Sequence, residues 1–172
     1  MVRADTIVVV PYDEAWLSLF VEERVHLQRT LGSLAKGIEH VGSTAVPGLA
    51  AKPILDIMVG VDNLRDAERC VRPLEQLRYE YRGEAGVPGR LFFRKGHPRT
   101  HHLHVTDIGS EFWERHLVFR DYLRSHPETA RKYAQLKYYL ADHFRGERAA
   151  YTEAKTGFIS EVIRRAMEEE RN

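Results

Sequence analysis

The sequence predicts an α+β protein, in which a mixed β-sheet carries an N-terminal helix and a C-terminal helical layer. Residues 36–107 are rich in Gly, Pro and short apolar runs, as expected of strands joined by turns, whereas residues 111–170 carry apolar residues at helical spacing. The chain has 172 residues, of which 43% are hydrophobic and 30% charged, a composition typical of a soluble globular protein. We therefore expect residues 1–172 to form a single domain.

The predicted elements follow in order along the chain. A first helix is expected after Asp13, because apolar residues recur at helical spacing from Trp16 to Leu31, and Gly32 ends it. Short apolar runs predict strands at 38–41, 54–61, 79–82, 90–94 and 101–106, of which the third and fourth form a hairpin around a turn that contains Gly and Pro. Further helices are expected at 64–77, which Pro73 makes imperfect, and at 111–124, 127–144 and 148–169.

Charge, cysteine content and hydropathy exclude several classes of protein. Lys and Arg number 26 against 25 Asp and Glu, a net charge of +1, which argues against a protein held to nucleic acid by its whole surface. Cys70 is the single cysteine, so no intrachain disulfide forms and Cys-rich zinc modules are excluded. The apolar run at 7–10 stops at Pro11 and is too short for a signal sequence or a membrane span. We expect a reduced, cytoplasmic protein with no membrane partner.

A Gly-Ser-Thr turn follows the first predicted strand. Gly42, Ser43 and Thr44 are small enough for the backbone to approach phosphate oxygens, and successive N–H groups in such a turn form an anion-binding concavity. The turn is not a P-loop, because the Gly-Lys-Ser/Thr ending is absent. Two interpretations therefore stay open: a phosphate site, or a simple turn in which Ser43 or Thr44 caps the next element.

Asp56 interrupts the otherwise apolar strand Ile-Leu-Asp-Ile-Met-Val. An unpaired carboxylate there would cost several kcal/mol on desolvation, so Asp56 either lies at an open end of the strand and binds a cation or serves as a structural acceptor. We predict a catalytic and metal-binding role for Asp56. His40, on the preceding strand, is a candidate general acid or base, because the pKa of histidine lies near working pH.

Two histidines two positions apart on the last predicted strand, His102 and His104, share one face of that strand. Imidazoles are good ligands for Zn, Mn, Fe or Ni, and together with Asp56 they predict a site for one divalent ion. Such a pair alone is weak evidence for a metal site, and the nearby carboxylate of Asp56 strengthens the prediction. The identity of the ion, Mg, Mn or Zn, stays open.

Lysines lie on the apolar faces of two predicted helices. Lys137 follows Tyr133 by four residues, and Lys155 follows Tyr151 by four, so both are predicted to direct positive charge toward phosphate in a cleft. Lys52, in the loop before Asp56, is a third candidate phosphate ligand. The alternative for the helical lysines is that their stems pack while their ammonium groups reach water.

The segment Gly-Ser-Thr-Ala-Val-Pro-Gly-Leu-Ala-Ala-Lys-Pro at 42–53 resembles the GrpB family, whose members resemble the polymerase-beta-type nucleotidyltransferase fold. The resemblance extends over nearly the whole chain, from Pro-Tyr-Asp at 11–13 through His-Leu-His at 102–104 to the helices at 119–124 and 136–155. Some members of the family are fused to dephospho-CoA kinase. The resemblance therefore implies a partner in nucleotide or coenzyme A metabolism.

The resemblance also assigns roles to individual residues. Gly42 and Ser43 match the Gly-Ser element that holds triphosphate in nucleotidyltransferases of this fold, and Asp56 matches the first of the metal-binding acids. The second acid is replaced by Met58, and a histidine, His102 or His104, takes the place of the third. Because two-metal catalysis needs several anionic oxygens, nucleotidyl or phosphoryl transfer stands beside an alternative: a non-catalytic module that binds a nucleotide or coenzyme.

Overall fold

The computed structural model describes residues 6–172 and contains one five-stranded sheet flanked by helices. The strands are β1 (Gly37–Val41), β2 (Leu55–Val61), β3 (Glu80–Tyr81), β4 (Leu91–Lys95) and β5 (His101–Asp107). The helices are α1 (Ala15–Leu31), α2 (Leu64–Arg69), α3 (Val71–Gln76), α4 (Glu111–Ser125), α5 (Pro127–Phe144) and α6 (Arg148–Glu169). Single 3₁₀ turns lie at Gly32–Leu34 and Ser43–Ala45.

The sheet is mixed, with strand order β1-β2-β5-β4-β3. β2 and β5 run parallel at its centre, while β1, β4 and β3 pair antiparallel with their neighbours. The register places Asp56 of β2 beside Val41 of β1 and beside His102 of β5. Since directly paired residues point to the same side of a sheet, this register decides which side chains meet.

Alternating residues divide the sheet into two faces. The apolar face packs on α1, α2 and α3 and consists of Ile38, Leu55, Ile57, Val59, Val61, Leu91, Phe93, Leu103 and Val105. The pocket face is turned toward α4 and carries Asp56, His102 and His104, besides Val41 and Met58, which pack against Trp113 of α4. A separate cluster of buried residues, including Leu49, Phe119, Leu123, Tyr133 and Ile163, joins α4, α5 and α6 into a layer.

The predicted mixed sheet and helical layer are confirmed, with small differences in the elements. The helix predicted at 64–77 is two short helices, because Pro73 has no N–H to donate to the carbonyl of Arg69. β3 has only two residues, fewer than expected from 79–82. Cys70 is a free, buried thiol at the junction of α2 and α3. Within residues 6–172, no helix is both long and apolar enough to cross a membrane.

Candidate functional site

A pocket of about 400 Å³ lies between the pocket face and the layer of α4, α5 and α6. It brings together nearly every residue that the sequence singled out: Gly42, Ser43, Thr44, Lys52, Asp56, His102, His104, Lys137 and Lys155. Side chains that the sequence did not single out complete the wall, among them Arg115, His116, Phe119, Tyr133 and Tyr151. Residues from six separate parts of the chain therefore converge on one cavity.

Asp56 lies at the centre of the pocket face. Its Oδ1 atom is 3.6 Å from Nδ1 of His102 and 3.5 Å from Nε2 of His104. Burial raises the pKa of Asp56, but the two imidazoles outweigh this effect and hold the pKa well below its usual value. The pocket therefore contains an ionised carboxylate.

Gly42 allows the turn after β1 to approach this carboxylate. Its φ is +70°, in the region that favours glycine, and a Cβ added here would lie 2.8 Å from Oδ2 of Asp56. The absence of a side chain at Gly42 is thus required by Asp56. Contact of Gly42 with phosphate stays a prediction.

Arginines of α4 hold the Gly-Ser-Thr turn in place. Nε of Arg124 donates to the carbonyl of Ala45 at 2.9 Å, and Arg120 donates to the carbonyl of His40 at 3.1 Å. Thr44 is buried, and its hydroxyl lies 2.8 Å from Nε2 of His40. The backbone of the turn is therefore fixed before any ligand binds, which lowers the entropy cost of binding one.

His40 does not line the pocket, so the structure does not bring this candidate acid or base to Asp56. The register pairs His40 with Ile57, so its ring lies on the apolar face, stacked on Phe20 at 4.7 Å between centroids. His40 is only 4% exposed, and burial lowers its pKa to about 4. The ring is neutral and lies within hydrogen-bond distance of the Thr44 hydroxyl, and an acid–base role for His40 stays a prediction.

Three lysines from three elements enclose the opposite side of the pocket. Lys52 precedes β2, Lys137 belongs to α5 and Lys155 to α6. Nζ of Lys155 and Nζ of Lys52 lie 4.4 and 5.2 Å from the centroid of the Tyr151 ring, and Nζ of Lys137 lies 4.6 Å from that of Tyr133. Lys137 also donates a hydrogen bond to the carbonyl of Ala50.

The positive charges of the clustered lysines lower one another's pKa values. Burial, with the charges of Lys155 and Lys52, lowers the pKa of Lys137 to about 7. Burial and the charge of Lys52 lower the pKa of Lys155 to about 8, although Asp56 opposes this. Lys137 is 2% exposed, so its ammonium does not reach bulk water as the alternative interpretation required. An anion that binds in the pocket would stabilise the charged form of these lysines.

The metal expectation gains no support from the geometry. Among residues 6–172, no group of three or more His, Cys, Asp or Glu side chains has the arrangement to hold a metal ion. The position of the second family acid is apolar, because Met58 is fully buried against Val41 and Trp113. A divalent ion bound by Asp56, His102 and His104 stays a prediction; the two imidazoles lie 3.6 and 3.5 Å from Oδ1 of Asp56.

The sequence analysis did not assign several wall residues to the site, among them Tyr133, Tyr151, Arg115 and His116. Tyr133 and Tyr151 precede the two helical lysines by one turn, so the spacing that identified the lysines also identifies the rings beneath them. Arg115 and His116 carry no comparable signal. They reach the pocket only because α4 packs across β1 and β5.

Comparison with known proteins supports a shared family and fold. The profile of the family described as GrpB protein matches residues 6–165. A UPF0157 protein of Pseudomonas aeruginosa is 44% identical over 168 residues, which cover 95% of this chain and 69% of that protein. The crystal structure of conserved protein GrpB from Enterococcus faecalis superposes with a TM-score of 0.87 at 38% identity, covering 96% of this chain and 100% of that one.

A more distant similarity extends to an enzyme of a different name. A dephospho-CoA kinase of Mycobacterium leprae is 25% identical over 189 residues, which cover 93% of this chain but only 46% of the kinase. Less than half of that protein is therefore represented here. The name of the kinase describes the whole of a longer protein.

Proposed function

The chain belongs to the GrpB family, and we propose that its pocket binds the phosphate groups of a nucleotide or coenzyme. The observation that carries the proposal is the convergence of Lys52, Lys137 and Lys155 on a cavity lined by one carboxylate, Asp56. Three amines held this close repel one another, and a polyanionic ligand removes that repulsion. Phosphate chains are the common metabolites with enough charge and compactness to do so.

Size and shape agree with such a ligand. The cavity of about 400 Å³ lies within the usual range for small-molecule and cofactor sites. Phe119 and Tyr133 form a T-shaped pair in its wall, with ring centroids 5.4 Å apart, and they give the ligand an apolar surface beside the charged one. A phosphate at the lysines and the Ser43 turn, with an organic group against these rings, fills both parts of the pocket.

Binding without transfer is favoured over nucleotidyl transfer. A nucleotidyltransferase-like fold is part of the proposal, since the Gly-Ser turn and the acidic strand are neighbours as in that fold. Transfer through two metal ions, however, needs several carboxylates, and Asp56 is the one carboxylate among the described residues that line the pocket. The buried Met58 at the second position points the same way.

A coenzyme-type ligand is part of the proposal because a kinase acting in coenzyme A synthesis, by its name, contains a region similar to this chain. Such a ligand offers phosphates for the lysines and a base for the aromatic wall. A nucleotide offers the same two groups. The binding experiment therefore includes both.

Calorimetric titration with ATP, coenzyme A and inorganic pyrophosphate at pH 7 tests the proposal. Lys137→Met should weaken binding about tenfold to a hundredfold, because a charge-assisted hydrogen bond contributes about 1.5–3 kcal/mol. Ser43→Asp should abolish it by repulsion. Lys132→Met, which removes an exposed lysine from the outer side of the same helix, is the matched control and should bind as the unmodified protein does.

Equal binding by Lys137→Met and Lys132→Met would overturn the proposal, as would the absence of binding by all three ligands. Lys155→Met serves as a second test if Lys137→Met fails to fold. Pyrophosphate release from ATP with Mg²⁺ or Mn²⁺ separates transfer from binding. Release that Asp56→Asn abolishes would favour transfer, and no release despite tight binding would favour the binding module.

A further inference from the structure

Arg90, the residue immediately before β4, is a buried cation beside the pocket-lining His104. It is 7% exposed, and its Nη2 atom donates to the carbonyls of Glu84 and Ala85 at 2.8 and 3.2 Å. The guanidinium also lies 4.9 Å from the ring centroid of Phe92. These contacts fix the orientation of Arg90, and neither its position in the sequence nor the family motif gave it a role.

Arg90 also contacts His104. Nη1 of Arg90 lies 2.9 Å from Nδ1 of His104. A guanidinium has donors and no acceptor, so Nδ1 must accept this hydrogen bond and carries no proton. A neutral imidazole bears its one proton on the other nitrogen, Nε2. That nitrogen is the one that faces Oδ1 of Asp56, at 3.5 Å.

We propose that Arg90 is a positioning residue that locks His104 as the Nε2–H tautomer, so that His104 donates to Asp56 and does not coordinate a metal through Nε2. The ordered pair of donors then runs from Arg90 through His104 to one oxygen of Asp56. The other oxygen lies against Gly42. The carboxylate is thereby held in one orientation.

The same arrangement opposes a transition metal at this histidine. A metal bound to Nε2 needs the lone pair that the proton occupies, so the proton would have to leave or move to Nδ1. A proton on Nδ1 would face the N–H of Arg90 across 2.9 Å, two donors with no acceptor between them. In zinc-binding histidines the second ring nitrogen usually donates its N–H to an acceptor, such as a carboxylate or a carbonyl. Arg90 is a donor and cannot accept that hydrogen bond.

Long-range ¹H–¹⁵N NMR spectra of the histidine rings test the tautomer in the ligand-free protein, so the outcome does not depend on the proposed ligand. The His104 signals, assigned by their loss in His104→Gln, should show a protonated Nε2 and an unprotonated Nδ1. Arg90→Met should give a mixture of tautomers, and Arg90→Lys, which restores a donor, should return the signals toward the original pattern. A protonated Nδ1 in the unmodified protein would refute the inference.

Arg94→Met is the control, because Arg94 pairs in register with His102 and lies near Glu80, whereas the hydrogen bond to His104 comes from Arg90. It should leave the His104 signals unchanged. Titration with Zn²⁺ gives a second measurement. The unmodified protein should show no Zn²⁺-dependent shift of the His104 signals, whereas Arg90→Met should show one. Stoichiometric Zn²⁺ binding at His104 in the unmodified protein would overturn the inference. This measurement does not depend on the folding of any variant.

Discussion

The two faces of the sheet are built from alternate residues of the same strands and have different chemistry. On the apolar face, Ile57 and Leu103 pack with α1 and are fully buried. On the pocket face, their chain neighbours Asp56, His102 and His104 border a cavity. Because strand side chains alternate, one strand supplies both a core and a site without any extra element.

Because of this difference, the apolar face contributes mainly to stability and the pocket face is available for binding. The apolar face closes on α1 with interdigitated side chains, so each removed methylene leaves a cavity. The layer of α4, α5 and α6 instead touches the pocket face at its edges, through Trp113 on β1 and β2 and through the arginines that hold the turn. The space left between them is the pocket.

The largest expected effect follows from enlarging a cavity on the apolar face. Leu103→Ala removes a side chain with 0% exposure and should lower the free energy of unfolding by about 2–5 kcal/mol in urea titrations. Asp56→Asn, one strand away on the pocket face, should change it by about 1 kcal/mol. Comparable losses in the two variants would contradict the separation of the faces.

Acid should destabilise both faces through a histidine on each. The pKa values of His40 and His104 are lowered by burial to about 4 in the folded protein, below the value near 6.5 of an unfolded chain. The unfolded state therefore binds more protons between pH 6.5 and 4, and stability falls as pH falls through that window. From pH 7 to 5 the loss should be about 2–4 kcal/mol for the pair.

Urea unfolding at both pH values measures this loss. His40→Gln retains a polar group beside Thr44 but does not titrate, so it should remove about half of the pH dependence. A pH dependence unchanged by His40→Gln would show that the apolar face contributes nothing to acid sensitivity.

A smaller effect is expected at the turn where the two faces meet. Gly42→Ala adds a Cβ 2.8 Å from Oδ2 of Asp56, besides the strain of a φ of +70°. Gly48→Ala has a similar φ, +81°, with no atom within 4 Å of the added Cβ, and it is the matched control for strain alone. Gly42→Ala should therefore be less stable than Gly48→Ala by about 1–3 kcal/mol, measured by thermal unfolding. Equal melting temperatures would mean that Asp56 moves aside without cost.

The smallest predicted effect concerns the pH dependence of binding. With the pKa of Lys137 lowered to about 7, its amine loses charge as pH rises above 7, and Lys155 follows near 8. An anion prefers the ammonium form, so affinity for ATP should fall about tenfold between pH 7 and 9. Calorimetry with Lys137→Met should give a shallower decline, and an affinity that rises over this range would contradict the charge argument.

Local pattern was enough to locate most of the site residues and the elements that carry them. The polar interruption at Asp56, the alternation that placed His102 and His104 together, and the helical spacing of Lys137 each follow from residues close in sequence. The structure brings all four to one pocket. His40 does not join them, because the side of the sheet on which its side chain lies depends on the pairing of β1 with β2, which no local pattern encodes.

The sequence by itself determined the α+β composition, the order of the elements and the polar residues of the central strands, because periods of 2 and 3.6 residues are written in neighbouring positions. Only the tertiary structure decided that His40 lies behind the sheet, that Arg90 reaches Nδ1 of His104, and that three lysines from distant elements face one carboxylate. The physical reason is that register and helix packing bring together residues far apart in the chain, and their burial and hydrogen-bonding partners, not their identities alone, set their charge and protonation.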